Sequence, residues 1–417
     1  MNFVQKVLAR ASGRASVEPG EVVVAEVDRI LLHDLSGYLT ARVFEEEVGR
    51  PMRYPDRVVM VFDHHFSPPT EERARVLQEN RRFARRHGIR LFDCGSGNIH
   101  HVAVGHGLVL PGAVVVGSDS HTPVHGTLGA FATGLGNYSH AALGMPFGKA
   151  WFRVPETVRI ELRGETGPCV TARDVAQWLT GEIGEGGAIY AALELAGPYV
   201  EGLEVMDRWL LPLIAVDVGA KSAHVEPDAR TDAFVRAVTD APFEAVRGDG
   251  DNVAAVRRWD VSGLPPMVTC PPTVGNVRPV EEAAGAPVQW AELGGHGGGR
   301  IEDIRLAASV LRDRRVHPDV RFNIVPSSRA AFAQAAREGL VEALHEAGAT
   351  WFPPSAGSNQ AINMGALAAD ETMISTHARN FPGRNGSPEA RMYLASALTV
   401  TASAVAGRVA DPRELLA

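Results

Sequence analysis

"LPGAVVVGSDSHTPVHGTLGAFATGLG", residues 110–136, runs from three consecutive valines into a polar turn of Ser118, Asp119, Ser120, His121 and Thr122. Unbroken β-branched residues predict a strand buried on both faces, as in a parallel sheet covered by helices. In such sheets ligands collect beyond the carboxyl ends of the strands. The stretch therefore predicts an α/β fold and places chemistry at the strand's exit. The glycines that follow imitate a nucleotide loop, but they trail no strand directly and lack the P-loop lysine, so they carry no phosphate cradle.

The same grammar extends along the chain. "RVVMVFDHH" (57–65), "IRLFDCG" (89–95), "TVRIELRGE" (157–165) and "DVRFNIVPSS" (319–328) read as strands. "TEERARVLQENRRFARRHG" (70–88) reads as a helix with a glycine stop, and "TARDVAQWLTGEIG" (171–184) as a Thr-capped helix. This alternation predicts α/β layers with largely parallel sheets. Composition shifts near 148–156 and again over the proline-rich 258–288, which reads as a linker across a domain surface. The expected division is 1–150, 151–260 and 261–417.

Composition narrows the function classes. The 417 residues are 45% hydrophobic and 22% charged with a formal charge of −8, which suits a globular protein and disfavours nucleic-acid binding. No apolar run reaches the length of a membrane span. "MNFVQKVLARASGRAS" lacks the apolar core of a secretory signal and reads as a short amphipathic helix. Cys94, Cys169 and Cys270 form no CxxC pair, so neither a disulfide framework nor a local metal knot is expected, and the expected location is the cytoplasm.

Three strand exits carry unusual side chains. "VFDHHFSP" (61–68) delivers Asp63, His64 and His65; the opening stretch delivers Asp119, Ser120 and His121; "GSGNIHHVAVGHG" (95–107) delivers His100, His101 and His106. The plain reading is that of caps and turns. Asp beside His, occurring twice at strand ends, is better explained by proton transfer, because the carboxylate fixes the imidazole tautomer and tunes it. In "STHARNFPGRNGS" (375–387), Arg379 and Arg384 suit a carboxylate or phosphate ligand. "AELGGHGGGRIED" (291–303) packs five glycines around His296, a costly sequence to order unless the backbone needs room.

Together these segments, with "VDRILLHD", "GRIEDIRLAASVL" and "RNFPGRNGS" in the same order, resemble the aconitase superfamily. The likeness is greatest to large subunits of 3-isopropylmalate dehydratase and homoaconitase. It implies three layered α/β domains with mostly parallel sheets around a central cleft, and no swivel domain in this chain. It matches Asp63, His64, His100, Asp119, Ser120 and His121 to catalytic positions, and His33, Arg379 and Arg384 to substrate-binding ones. It also implies a [4Fe-4S] cluster on three cysteines, yet His296, Gly357 and Gln360 stand at those positions. Leu213, Asp217 and Ala378 replace further residues near the iron.

Thiolates are the usual ligands of such clusters. The expectation is therefore a protein with no cofactor and no metal. Its expected function is that of a cluster-independent lyase or isomerase acting on a small carboxylate by acid–base chemistry, in specialised metabolism. The alternatives are a non-catalytic scaffold or regulatory partner of a small subunit, and a mononuclear metal-dependent hydro-lyase using His296. The expected partners are a small carboxylate and either a swivel-domain small subunit or a second copy of the chain, with neither nucleic acid nor membrane.

Overall fold

The computed structural model describes residues 1–250 and 252–416. The N-terminal segment forms a helix, Phe3–Ser12, capped reciprocally by Asn2 and Gln5. β1 (Val22–Glu26) belongs to a two-stranded ribbon. β2 (Arg29–His33), β3 (Val58–Val61), β4 (Arg90–Phe92), β5 (Val114–Gly117) and β6 (Phe131–Gly134) make a fully parallel sheet in the order β4-β3-β2-β5-β6. β3 and β5 are buried throughout, as their unbroken apolar runs require. β7 (Lys149–Arg153) closes the ribbon antiparallel to β1 and spans the boundary expected at 150/151.

A second parallel sheet combines β8 (Thr157–Arg163), β9 (Ala192–Ala196), β10 (Ser222–His224) and β11 (Ala255–Asp260) in the order β10-β9-β8-β11. The third uses β12 (Met267–Thr269), β13 (Val277–Pro279), β14 (Trp290–Leu293), β15 (Arg321–Ile324), β16 (Ala349–Trp351), β17 (Thr372–Ser375) and β18 (Arg391–Ala395). Its order is β13-β12-β18-β17-β14-β15-β16, parallel except where β12 meets β13 and β18. The chain is thus a layered α/β protein with mostly parallel sheets. Among the described residues no helix is long and apolar enough to cross a membrane.

The proline-rich segment 258–288 corrects the linker expectation. It completes β11 and supplies β13 and β12 at the margin of the third sheet, with Pro279 opposite Met267. Strands of three residues show no readable period, and proline is tolerated at a sheet margin. By contrast, both long helices form as read. Thr70 caps Glu71–His87, which ends at Gly88 with φ 68°, and Thr171 caps Ala172–Ile183.

Two sheets contain a topological switch point. In the first, the chain leaves β2 toward β3 and β4 on one side and adds β5 and β6 on the other, so the crevice opens between β2 and β5. In the third, β15 and β16 lie on one side of β14 and β17 and β18 on the other, so the crevice opens between β14 and β17. The segments after β2, β3, β4, β5, β14, β16 and β17 carry most of the residues singled out by the sequence.

Candidate active site

Asp119, just beyond β5, is the hub of the first crevice. Its Oδ1 accepts from the backbone N–H of His121 at 2.7 Å and from His100 Nε2 at 3.1 Å, with His121 Nδ1 at 3.5 Å. Burial works against ionisation, but His296, His100 and His121 outweigh it and hold the carboxyl well below the usual carboxylate range. Burial drives His121 and His296 the other way, toward the neutral form. With His121 and His296 neutral, the His100 and backbone donors are what keep Asp119 ionised. His121 stacks on His296 with centroids 4.9 Å apart, and its Nε2 is buried without a partner. Ser120 is exposed at the turn.

The β3 exit adds the second pair. Asp63 Oδ1 holds His64 Nδ1 at 2.7 Å, while its Oδ2 accepts the Ile99 N–H at 2.8 Å. Burial lowers the His64 pKa, yet Asp63, Asp34 and Asp119 together raise it to about 9. The hydrogen bonds decide otherwise. Arg384 can only donate and occupies Asn359 Oδ1, so the Asn359 amide turns its Nδ2 to His64 Nε2 at 3.2 Å. An imidazolium has no lone pair to receive that donor. His64 therefore stands neutral with its proton on Nδ1. His33, at the end of β2, stacks on His64 at 4.2 Å and bridges the crevice by donating its N–H to Ser118 Oγ at 3.1 Å. Burial lowers its pKa to about 4.

The third sheet faces this cluster. His296, in the loop after β14, lies 3.6 Å from Asp119 Oδ2. Arg379, beyond β17, pairs with Asp217 at 3.5 Å, and its charge is felt at His121. Arg384 reaches Asn359 and so lies one amide away from His64. Burial, then Arg379, lowers the Arg384 pKa to about 10, so it remains a cation at neutral pH. Asp63, His64, His100, Asp119, His121, His33, Arg379, Arg384 and His296 are thus brought to one place by two facing crevices. His65 and His101 are directed elsewhere: His65 contacts Asp34 and Arg73, and His101 packs on Trp209. Asn359 and His125, which accompanies His100 at 3.2 Å, escaped the sequence reading; His125 lay inside the opening stretch, and neither stands beside a strand-end acid.

The loops that would hold a cluster are filled by the chain itself. A Cβ on Gly357 would meet Glu292 Oε1 at 2.6 Å, and one on Gly297 would meet Arg173 Nη1 at 2.7 Å. Glu292 Oε1 accepts from His377 Nε2 at 2.7 Å and from the Ser358 N–H at 2.9 Å, a buried polar plug beneath the loop. Gln360 is exposed. Cys94, Cys169 and Cys270 pack separately, and none joins a metal-capable group of side chains among the described residues. These residues do not fit a thiolate-held cluster.

Residues 5–291 and 277–407 match the aconitase family (aconitate hydratase). The chain is similar to the probable 3-isopropylmalate dehydratase large subunit of Methanothermobacter thermautotrophicus, 41% identical over 417 residues and covering 100% of this chain and 99% of the relative. It is likewise 41% identical to the probable methanogen homoaconitase large subunit of the same organism, over 99% of this chain and 98% of the relative. The 3-isopropylmalate dehydratase large subunit 1 of Pyrococcus furiosus is 37% identical, with 100% and 99% covered. Thermococcus kodakaraensis aconitase X (holo-form) shares the fold at TM-score 0.51 and 14% identity, over 90% of this chain and 89% of that one.

These relatives overturn the expectation of a protein without a cofactor. They are of a kind that typically binds a [4Fe-4S] cluster, so a cluster is what kinship implies, even though the loop residues here supply no thiolate for it. Matched along nearly its whole length by sequence, the chain belongs to the aconitase family.

Proposed function

We propose that this chain is the large subunit of a hydro-lyase or isomerase that converts a small hydroxy-carboxylate by acid–base chemistry. The relatives named as dehydratase and homoaconitase large subunits support the reaction class. The observation that carries the site is the convergence of Arg379 and Arg384 on the Asp–His pairs across the two crevices. The arginines grip the carboxylate, a bidentate match of fork to anion.

Proton transfer falls to the imidazoles. Asp119 orients His121, whose unpartnered Nε2 carries a free lone pair. That nitrogen takes the proton from the carbon next to the carboxylate, and the imidazolium returns it to the departing hydroxyl. The products are an alkene and water, and re-addition at the neighbouring carbon gives the isomer. Asp63 and His64 form the second such pair. The name "large subunit" borne by the relatives supports a small-subunit partner that completes the cleft.

The test is product analysis on a panel of small hydroxy-di- and tricarboxylates, with and without a candidate small subunit, read by the ultraviolet absorbance of the conjugated alkene. Conversion that depends on His121 is the expected result. If no member of the panel is converted with the partner present, or if His121→Ala is fully active, the reading fails.

A further inference from the structure

We propose that His64 Nε2, His296 Nε2 and Asp119 Oδ2 bind a single divalent transition-metal ion. Within the active-site reading above this ion would be its Lewis acid, and that use rests on the reading; the binding itself does not.

The distances carry the inference. One ligand atom from each of His64, Asp119 and His296 lies within 4.8 Å of the others, and His64, His296 and Asp119 are buried, at 3%, 3% and 8% exposure. His296 Nε2 has no hydrogen-bond partner, an expensive condition for a buried nitrogen. Its nearest acid oxygen, Asp119 Oδ2, stands 3.6 Å away, beyond hydrogen-bond range. Two ligands of one tetrahedral ion, each about 2.0–2.1 Å from it, stand roughly 3.4 Å apart. The gap between nitrogen and oxygen is therefore sized for an ion between them.

The supporting bonds are those that a metal site needs. Asp63 fixes His64 through Nδ1 and turns Nε2 outward, an arrangement that orients ligating histidines and raises their basicity. His100 and the His121 N–H hold Asp119 by Oδ1, which leaves Oδ2 for the ion. Asn359 is the group that must swing aside, since its amide now donates to His64 Nε2. Two imidazoles and one carboxylate suit a borderline ion of the iron, manganese or zinc type, and leave coordination positions for a substrate hydroxyl and carboxylate. The neighbouring group of His33, Asp34, Asp63 and His64 does not qualify. Asp34 spends both oxygens on the N–H groups of Asp63, His64 and His65, and Asp63 is equally occupied.

The experiment uses the full chain, stripped with a chelator and titrated anaerobically with Co(II), Zn(II) and Fe(II). One ion per chain is expected, with Co(II) absorption bands of nitrogen–oxygen coordination. His296→Ala and the better-filling His296→Gln should each weaken binding by at least about 100-fold, and Asp63→Asn by about 10–100-fold, while circular dichroism reports that the variants remain folded. Less than a stoichiometric ion, unchanged affinity in folded His296 variants, or four irons with acid-labile sulfide would overturn the site. Tight, His296-dependent binding without turnover of any carboxylate would leave the metal site standing and sink the functional reading. Turnover by the stripped protein would leave the functional reading standing and remove the ion's role as its Lewis acid.

Discussion

Arg379 meets both an acid and, in the proposed reading, a substrate. Its 3.5 Å contact with Asp217 is loose, and it is partly exposed on the cleft side. Burial raises the Asp217 carboxyl, and Arg379 and Arg173 only partly offset it, so the pair is a weak clamp that a ligand carboxylate can replace. Arg379→Ala should lower kcat/KM by about 10–150-fold, the worth of ~1.5–3 kcal/mol in a charge-assisted bond, mostly through KM. His121→Ala should instead lower kcat by about 10²–10⁴-fold, as befits a proton carrier. Steady-state kinetics on any converted substrate separates the two, and equal effects on KM would contradict the assignment. Gly357 tests the loop. With φ at 79° and Glu292 Oε1 at 2.6 Å from any added Cβ, Gly357→Ala should destabilise the fold by about 2 kcal/mol or more, read as a lower denaturant midpoint. A neutral result would mean that the plug gives way easily. Strand-end acids and histidines were legible in the sequence because Asp–His adjacency is local. Glu292 and His377 were not, since neither lies near the other in the chain.

At the scale of elements, β10 shows how burial converts to pH sensitivity. His224 lies at its end, stacked on Phe3 of the N-terminal helix at 4.2 Å, with both ring nitrogens unpartnered. Burial, followed by the charge of Arg159, lowers its pKa from 6.5 to about 3. Between those values the unfolded chain takes up a proton that the folded one refuses, so stability rises with pH across the window. It is fully present above pH 6.5 and is lost as pH falls. The slope from this residue is about 1.4 kcal/mol per pH unit. His224→Phe should flatten that part of the profile and leave stability at pH 7 equal or higher, as measured by urea denaturation from pH 7 to pH 4. An unchanged slope would show that the ring is not the group that titrates. β3, β5, β8 and β15 and the helices Glu71–His87 and Ala172–Ile183 were legible because caps and apolar runs act within one or two turns. β12 and β13 were hidden because three residues hold no period, and only the strands beside them make them strands.

On the scale of the whole molecule, the site depends on how the third sheet docks on the other layers. Arg173, on the capped helix Ala172–Ile183, is buried and donates to the carbonyl of His377 beyond β17. Gln177, one turn on, donates to Thr269 Oγ1 at 2.8 Å and to the Leu394 carbonyl at 2.7 Å. These bonds tie the second layer to the two strands that bring Arg379 and Arg384 into the cleft. Arg173→Leu should destabilise by about 2–3 kcal/mol through the orphaned carbonyl, and should lower kcat/KM although Arg173 is assigned no contact with substrate. Calorimetry showing a separated, earlier transition would locate the loss in the third sheet. A variant with wild-type kinetics would show that the docking survives without this strap.

The sequence by itself determined the α/β alternation, the Asp–His pairs at strand ends, the arginine loop and the absence of cysteines at the family's cluster positions. All of these are matters of neighbouring residues, which set backbone preference and local chemistry directly. Only the tertiary structure decided that the crevice between β2 and β5 faces the crevice between β14 and β17. That facing brings His296 to Asp119 and hands Asn359 between Arg384 and His64, while Glu292 meets His377 from the neighbouring strand. Such meetings arise from packing between layers distant in the chain, where side-chain volume and hydrogen-bond satisfaction select the partner and no short-range pattern records it.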